Sequence, residues 1–283
     1  MPAPPIRPPA VAGTWYPGSR GALEREVDSL LGAAEVAAVP AGALVGVIAP
    51  HAGMMFSGGV AAHAYKVASG AAVDVIALVG PSHFVGFEGI AIFERGAFET
   101  PLGLAQVDET VGAALMSASP LIRPHLSAHT REHSLEMQLP FLQRVLPGVP
   151  IVPLAIGFQT RETIGALAEA LAAALDGRRA LLVASTDLSH YFDAQTATAL
   201  DARVVECVDR FDADALLSEF ERYPEGERGR YVACGGGAAI AVMRAARALG
   251  AGAARVLKYA HSGEISGDHA TVVGYLAAGL WKA

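Results

Sequence analysis

Little in this 283-residue chain is charged, aromatic or sulfur-bearing: charged residues make up 17%, aromatics 7%, and there are two cysteines. Two cysteines in a chain of this length do not make a disulfide framework, so Cys207 and Cys234 are read one at a time as core filler, ligand or nucleophile. No run of Lys or Arg occurs and the net charge is −7, which removes the electrostatic footprint of a nucleic-acid or anionic-lipid binder. No stretch reaches the roughly 18 uninterrupted apolar residues of a membrane span, and Met1 to Pro9 has no apolar leader core. The expectation is a cytoplasmic protein. Internal repeats and Gly/Ser linkers are also missing, so one domain is expected over residues 1–283, with residues 1–10 as a proline-rich N-terminal extension.

What is abundant is apolar surface: 52% of residues are hydrophobic, enough for a large buried core. Strand-length apolar runs at 43–49, 73–80, 89–93, 151–156, 180–185, 256–259 and 271–276 alternate with helical periods at 21–34, 59–68, 108–117, 134–145, 160–175, 194–220 and 237–249. Several runs are apolar on both faces. The pattern predicts an α/β fold: a central, mostly parallel or mixed sheet with helices on both sides.

Polar chemistry collects where predicted strands end. Residues 43–49 run into Pro50-His51, residues 73–80 into Pro81-Ser82-His83, and residues 180–185 into Thr186-Asp187-Leu188-Ser189-His190. The crevice beyond the carboxyl ends of strands is where open α/β sheets bind ligands. Parallel, adjacent strands would therefore bring His51, His83, Asp187 and His190 to one pocket. Cys234 precedes Gly235-Gly236-Gly237 at the start of a predicted helix, where the positive dipole end favours a thiolate. Cys207 lies on an apolar helical stripe with Val204 and Phe211 and reads as core. His133 and Glu136 stand at i and i+3, and a shared helical face would make them a carboxylate–imidazole pair orienting groups in the pocket; a capping arrangement fits equally.

Six ordered pieces of the chain then resemble one family: residues 11–17 (VAGTWYP), 49–53 (APHAG) with Ser57-Gly58, 80–83 (GPSH), 132–136 (EHSLE) with Leu139-Pro140, 185–190 (STDLSH) and Cys234-Gly235. These are similar to the MEMO family (mediator of ErbB2-driven cell motility and its prokaryotic relatives), whose fold is related to the LigB-type class III extradiol dioxygenases. The resemblance implies a metal held by His51, His83 and Cys234, with Asp187 and His190 nearby; in a metal-dependent redox enzyme those two would be the catalytic proton carriers. It also implies partners, namely an AMMECR1-like protein and a radical SAM protein. The three glycines after Cys234 depart from the bulkier polar residues of animal members, implying a different pocket wall.

Two functional classes follow. The first is a metal-dependent redox enzyme acting on a small molecule, since mixed N/S donors suit iron or copper; zinc hydrolysis is its nearest enzymatic competitor. The second is a non-catalytic peptide- or protein-binding module that uses the same pocket.

Overall fold

The computed structural model describes residues 5–282. Its centre is a nine-stranded mixed sheet. The sheet is built from β2 (Leu44–Ala49), β3 (Val75–Pro81), β4 (Ile90–Ile92), β7 (Ile122–Pro124), β8 (Ile151–Ile156), β9 (Ala180–Ser185), β10 (His190–Phe192), β11 (Ala251–His261) and β12 (Val272–Lys282). The order is β10-β12-β2-β9-β3-β8-β4-β7, with β11 pairing β12 antiparallel. Strands β2, β9, β3 and β8 are mutually parallel and form the centre. A second sheet of three short strands joins β1 (Ile6–Arg7), β5 (Ala97–Thr100) and β6 (Gly103–Gln106).

Alternation along the central strands feeds two cores. On β9, Leu182 and Ala184 enter one core while Leu181 and Val183 enter the other; on β3, Val75, Ala77 and Val79 oppose Ile76 and Leu78. Helices Arg20–Ala33, Met54–Ala68 and Leu139–Val145 cover one face, and helices Arg161–Leu175, Ala213–Phe220 and Gly236–Ala248 cover the other. Both faces of the central strands are therefore dry, which is why those strands read as unbroken apolar runs rather than as alternating ones.

The expected helix over 194–220 is two helices, Ala194–Asp209 and Ala213–Phe220. Phe211 sits at φ +54°, and the Asp212 carboxylate accepts from the Ala215 N–H to start the second helix. A left-handed residue followed by an N-cap ends one helix and begins the next. The segment 134–145 is also shorter in α-helix than expected: a 3₁₀ turn spans Glu136–Gln138 and the α-helix begins at Leu139. The proline-rich start is part of the domain from Pro5 onward, because Ile6–Arg7 pairs with β5 and Arg7 is 3% exposed. The rest of that expected extension, residues 1–4, lies outside the described residues. No helix among the described residues is long and apolar enough to cross a membrane.

Candidate metal centre

The central parallel strands end level with one another, Ala49 opposite Ser185 and Val79 opposite Ala184. His51, Asp187 and His83 each lie two residues beyond the last residue of their strand, on β2, β9 and β3 respectively. The chemistry therefore converges because of register. Cys234 arrives from the opposite direction, just before the helix Gly236–Ala248, and is latched by backbone bonds: its N–H donates to the Asp187 carbonyl (3.2 Å) and the Gly235 N–H donates to Thr186 Oγ1 (2.9 Å). A side chain at Gly235 would put Cβ 2.3 Å from the Ser185 carbonyl oxygen, so only glycine allows this latch. The next two glycines face Phe220 and Gln159 in the interior. The three glycines thus serve close packing and do not shape the pocket wall, contrary to the expectation from their departure from the family pattern.

One ligand atom from each of His51, His83 and Cys234 lies within 4.8 Å of the others. Hydrogen bonds assign the imidazole tautomers. Ser185 Oγ donates to the Ser134 carbonyl (2.7 Å), so it can only accept from His51 Nδ1 (2.8 Å). His51 Nδ1 then carries the hydrogen and Nε2 keeps its lone pair, 3.2 Å from Cys234 Sγ. For His83, Nδ1–H donates to the Glu132 carboxylate (2.9 Å), which again leaves Nε2 as the nitrogen available to a metal. The two rings meet edge to face with centroids 5.1 Å apart.

Electrostatics prepare the thiol. Burial pushes the Cys234 thiol up, but the neighbouring His51 and His83 outweigh it and bring its pKa down to about 6. Burial pulls His83 down, and its bonds to Cys234 and Glu132 raise it further in the other direction, to about 10. These opposite shifts favour a thiolate beside an imidazolium in the ion-free site.

Glu132 and Gln138 carry most of the positioning, and the sequence reading singled out neither. The Glu132 carboxylate accepts from His83 N (2.6 Å), His83 Nδ1 (2.9 Å), His133 N (3.0 Å) and Ser134 N (2.9 Å). Those donors together overcome burial and hold the carboxyl below its usual range. Gln138 donates to Ser185 Oγ (2.8 Å) and to the Pro50 carbonyl (3.0 Å), and it accepts from Tyr65 (2.6 Å), fixing the group that orients His51.

His133 does enter the pocket: its ring stacks on His83 at 4.5 Å and lies 4.4 Å from Trp15. Burial, then the neighbouring His51 and His83, lower it to about 3, so it is neutral near pH 7. Glu136 does not share its face. That carboxylate pairs with Arg7 and accepts from Ala10 N (2.7 Å), Val11 N (3.1 Å) and Tyr16 Oη (2.6 Å), clasping the N-terminal segment. The i, i+3 argument fails because His133 precedes regular helix: residues 132–133 are irregular, 134–135 form a turn, and a 3₁₀ turn at Glu136–Gln138 comes before the α-helix. The clasp also delivers Trp15 to the pocket wall.

Asp187 and His190 line the same cleft, which has a volume of roughly 460 Å³. The Asp187 carboxylate accepts from the His51 backbone N–H (2.7 Å), and burial raises its pKa above the usual carboxylate value. His190 Nδ1–H donates to the Leu188 carbonyl (2.7 Å), leaving Nε2 free. Cys207 is half-buried against the core on the helix Ala194–Asp209, and neither cysteine is in a disulfide.

A mixed α/β sheet that presents two histidines and a cysteine beyond its central strand ends defines a class of single-domain α/β proteins with a candidate mononuclear metal pocket. Residues 7–279 match the model of the Memo-like protein family. A MEMO1 family protein of Methanothermobacter thermautotrophicus is 36% identical over 278 residues, covering 95% of this chain and 98% of the relative. One from Methanopyrus kandleri is 36% identical over 282 residues, 96% and 97% of the two chains, and one from Nitrosopumilus maritimus is 34% identical over 275 residues, 95% and 98%. The chain belongs to the MEMO family.

Proposed function

We propose that this protein is a metal-dependent oxidoreductase that holds iron or copper through His51, His83 and Cys234 and acts on a small molecule. The observation that carries the reading is the donor set. Two imidazole Nε2 atoms, each positioned by an occupied Nδ1, meet a low-pKa thiol within 4.8 Å. Three protein donors leave coordination positions open, and the thiolate favours iron or copper over magnesium or calcium. Such a metal supplies one-electron redox chemistry and open positions for a substrate.

The chain's own residues have separable tasks. Glu132 and Ser185 keep His83 and His51 in the donor tautomer. His190 lines the cleft and takes or returns a proton at Nε2, while the Leu188 carbonyl holds the ring through Nδ1. Asp187 spans His51 and Cys234: its carboxylate binds one loop and its main chain the other, so it aligns the two ligands. His133 and Trp15 close one wall and exclude water.

The test is metal analysis of protein purified anaerobically under reducing conditions. About one equivalent of iron or copper, lost in His51→Ala, His83→Ala and Cys234→Ala, supports the reading. Zinc alone points to hydrolysis, and metal-free protein that still binds a partner points to a binding module.

A further inference from the structure

We propose that the substrate of this pocket is a planar organic carboxylate, received by Arg230 and flanked by Tyr191; the inference names the substrate class of the site just described and rests on that reading. Arg230 lines the metal cleft, is exposed, and forms no ion pair or hydrogen bond among the described residues. Its guanidinium is nonetheless held in place. It lies 5.0 Å over the ring of Phe192 and 5.7 Å over that of Tyr231, and Tyr231 is itself stacked on Tyr223 at 4.6 Å and 11°. Stacking occupies the faces of a guanidinium and leaves its N–H edges free, and those edges match a carboxylate as a two-pronged fork. In a chain of net charge −7, an unpaired cation preorganised beside a metal pocket offers a place for an anionic occupant.

Tyr191 supplies the second observation. It is 67% exposed on the same cleft and holds φ +64°, a left-handed conformation that costs a bulky residue energy. An extended conformation there would turn the ring elsewhere; the strained one keeps it on the cleft beside His190, centroids 5.6 Å apart. With Trp15 on the other wall, the cleft offers aromatic surfaces to a flat body and one guanidinium to a single charged end. One fork matches the two oxygens of a carboxylate, whereas a doubly charged phosphate is better matched by more than one cation, and Arg230 is the only Lys or Arg lining this cleft among the described residues.

The experiment uses benzoate, benzamide and phenyl phosphate as probes, with dissociation constants read by protein-observed NMR on chelator-treated and on metal-loaded protein. The wild type in both states should bind benzoate about tenfold or more tightly than benzamide, the usual worth of a charge-assisted bond. Arg230→Met, which keeps an unbranched side chain over the rings, should remove that preference, and Tyr191→Gly should weaken both probes alike. Arg178→Met, at the far end of the sheet, should change nothing. Equal binding of benzoate and benzamide by the wild type overturns the proposal with no variant needed, as does binding of neither, or a preference that survives Arg230→Met. A preference present only with metal means that the carboxylate sits on the ion, and tighter binding of phenyl phosphate than benzoate means a phosphate site; either result overturns the assignment. The chelator-treated arm needs no metal, so failure of the metal reading and failure of this one are distinguishable.

Discussion

Replacing Glu132 by Gln removes one charge and turns one acceptor into a donor, at a carboxylate that meets only donors. One oxygen accepts from His83 N alone, and the other accepts from His83 Nδ1, His133 N and Ser134 N. The better amide orientation keeps its oxygen on the three-donor side and turns its NH₂ toward the His83 N–H. A buried N–H then loses a charge-assisted partner and faces another donor, at a cost of about 2–4 kcal/mol. At about 2 °C per kcal/mol for a chain of this size, the melting temperature should fall by roughly 4–8 °C. Because the same carboxylate holds His83 in the tautomer that offers Nε2, metal affinity should fall by about 10- to 100-fold. Differential scanning calorimetry of metal-free protein and competition against a chelator measure the two effects. The pH dependence has a definite sign. A carboxyl held below its unfolded value adds stability that is present above the unfolded value and lost as pH falls through the native one. Wild type and variant should therefore differ most near neutrality and converge in acid. Metal affinity within twofold of wild type would refute the claim that Glu132 sets the donor state of His83.

Removing the His51 imidazole should raise the Cys234 pKa from about 6 by about a unit or more, since His51 is the largest influence holding it down; the pH profile of thiol alkylation in metal-free His51→Ala reads this directly. Arg7→Met leaves Glu136 buried without its cation, and should cost about 3–5 kcal/mol in thermal unfolding while metal stoichiometry stays at the wild-type value. A loss of metal in step with stability would place Glu136 back at the pocket. His190→Gln should lower oxygen consumption by metal-loaded protein by roughly 10²-fold at full occupancy. Asp187→Asn should act through metal retention, because its carboxylate supports the His51 loop; reversed behaviour of the two variants would exchange their roles.

The three strand-end residues were legible in the sequence for a physical reason. Strands dry on both faces read as apolar runs, and the first polar residues after them mark the sheet's carboxyl edge, so 49–51, 81–83 and 185–187 announce their place. Cys234 was legible as a thiol before a helix, and only the fold brings its sulfur to His51. The long antiparallel pair β11 and β12 was cut short in the reading because it is rich in Ala and Gly, residues with little strand preference. The small sheet of β1, β5 and β6 was missed because strands of two to four residues carry no measurable period. The choice between Glu132 and Glu136 shows the limit most clearly. Both carboxylates are at most 1% exposed, both accept several N–H groups, and they stand four residues apart. A helical wheel pairs His133 with Glu136, yet the chain is irregular at 132–133 and turns at 134–135, and that stretch sends one carboxylate to the candidate ligand His83 and the other to the N-terminal clasp. Which acid faces the candidate ligand and which faces the N-terminal segment depends on the backbone between them, and spacing carries that information only where the helix exists.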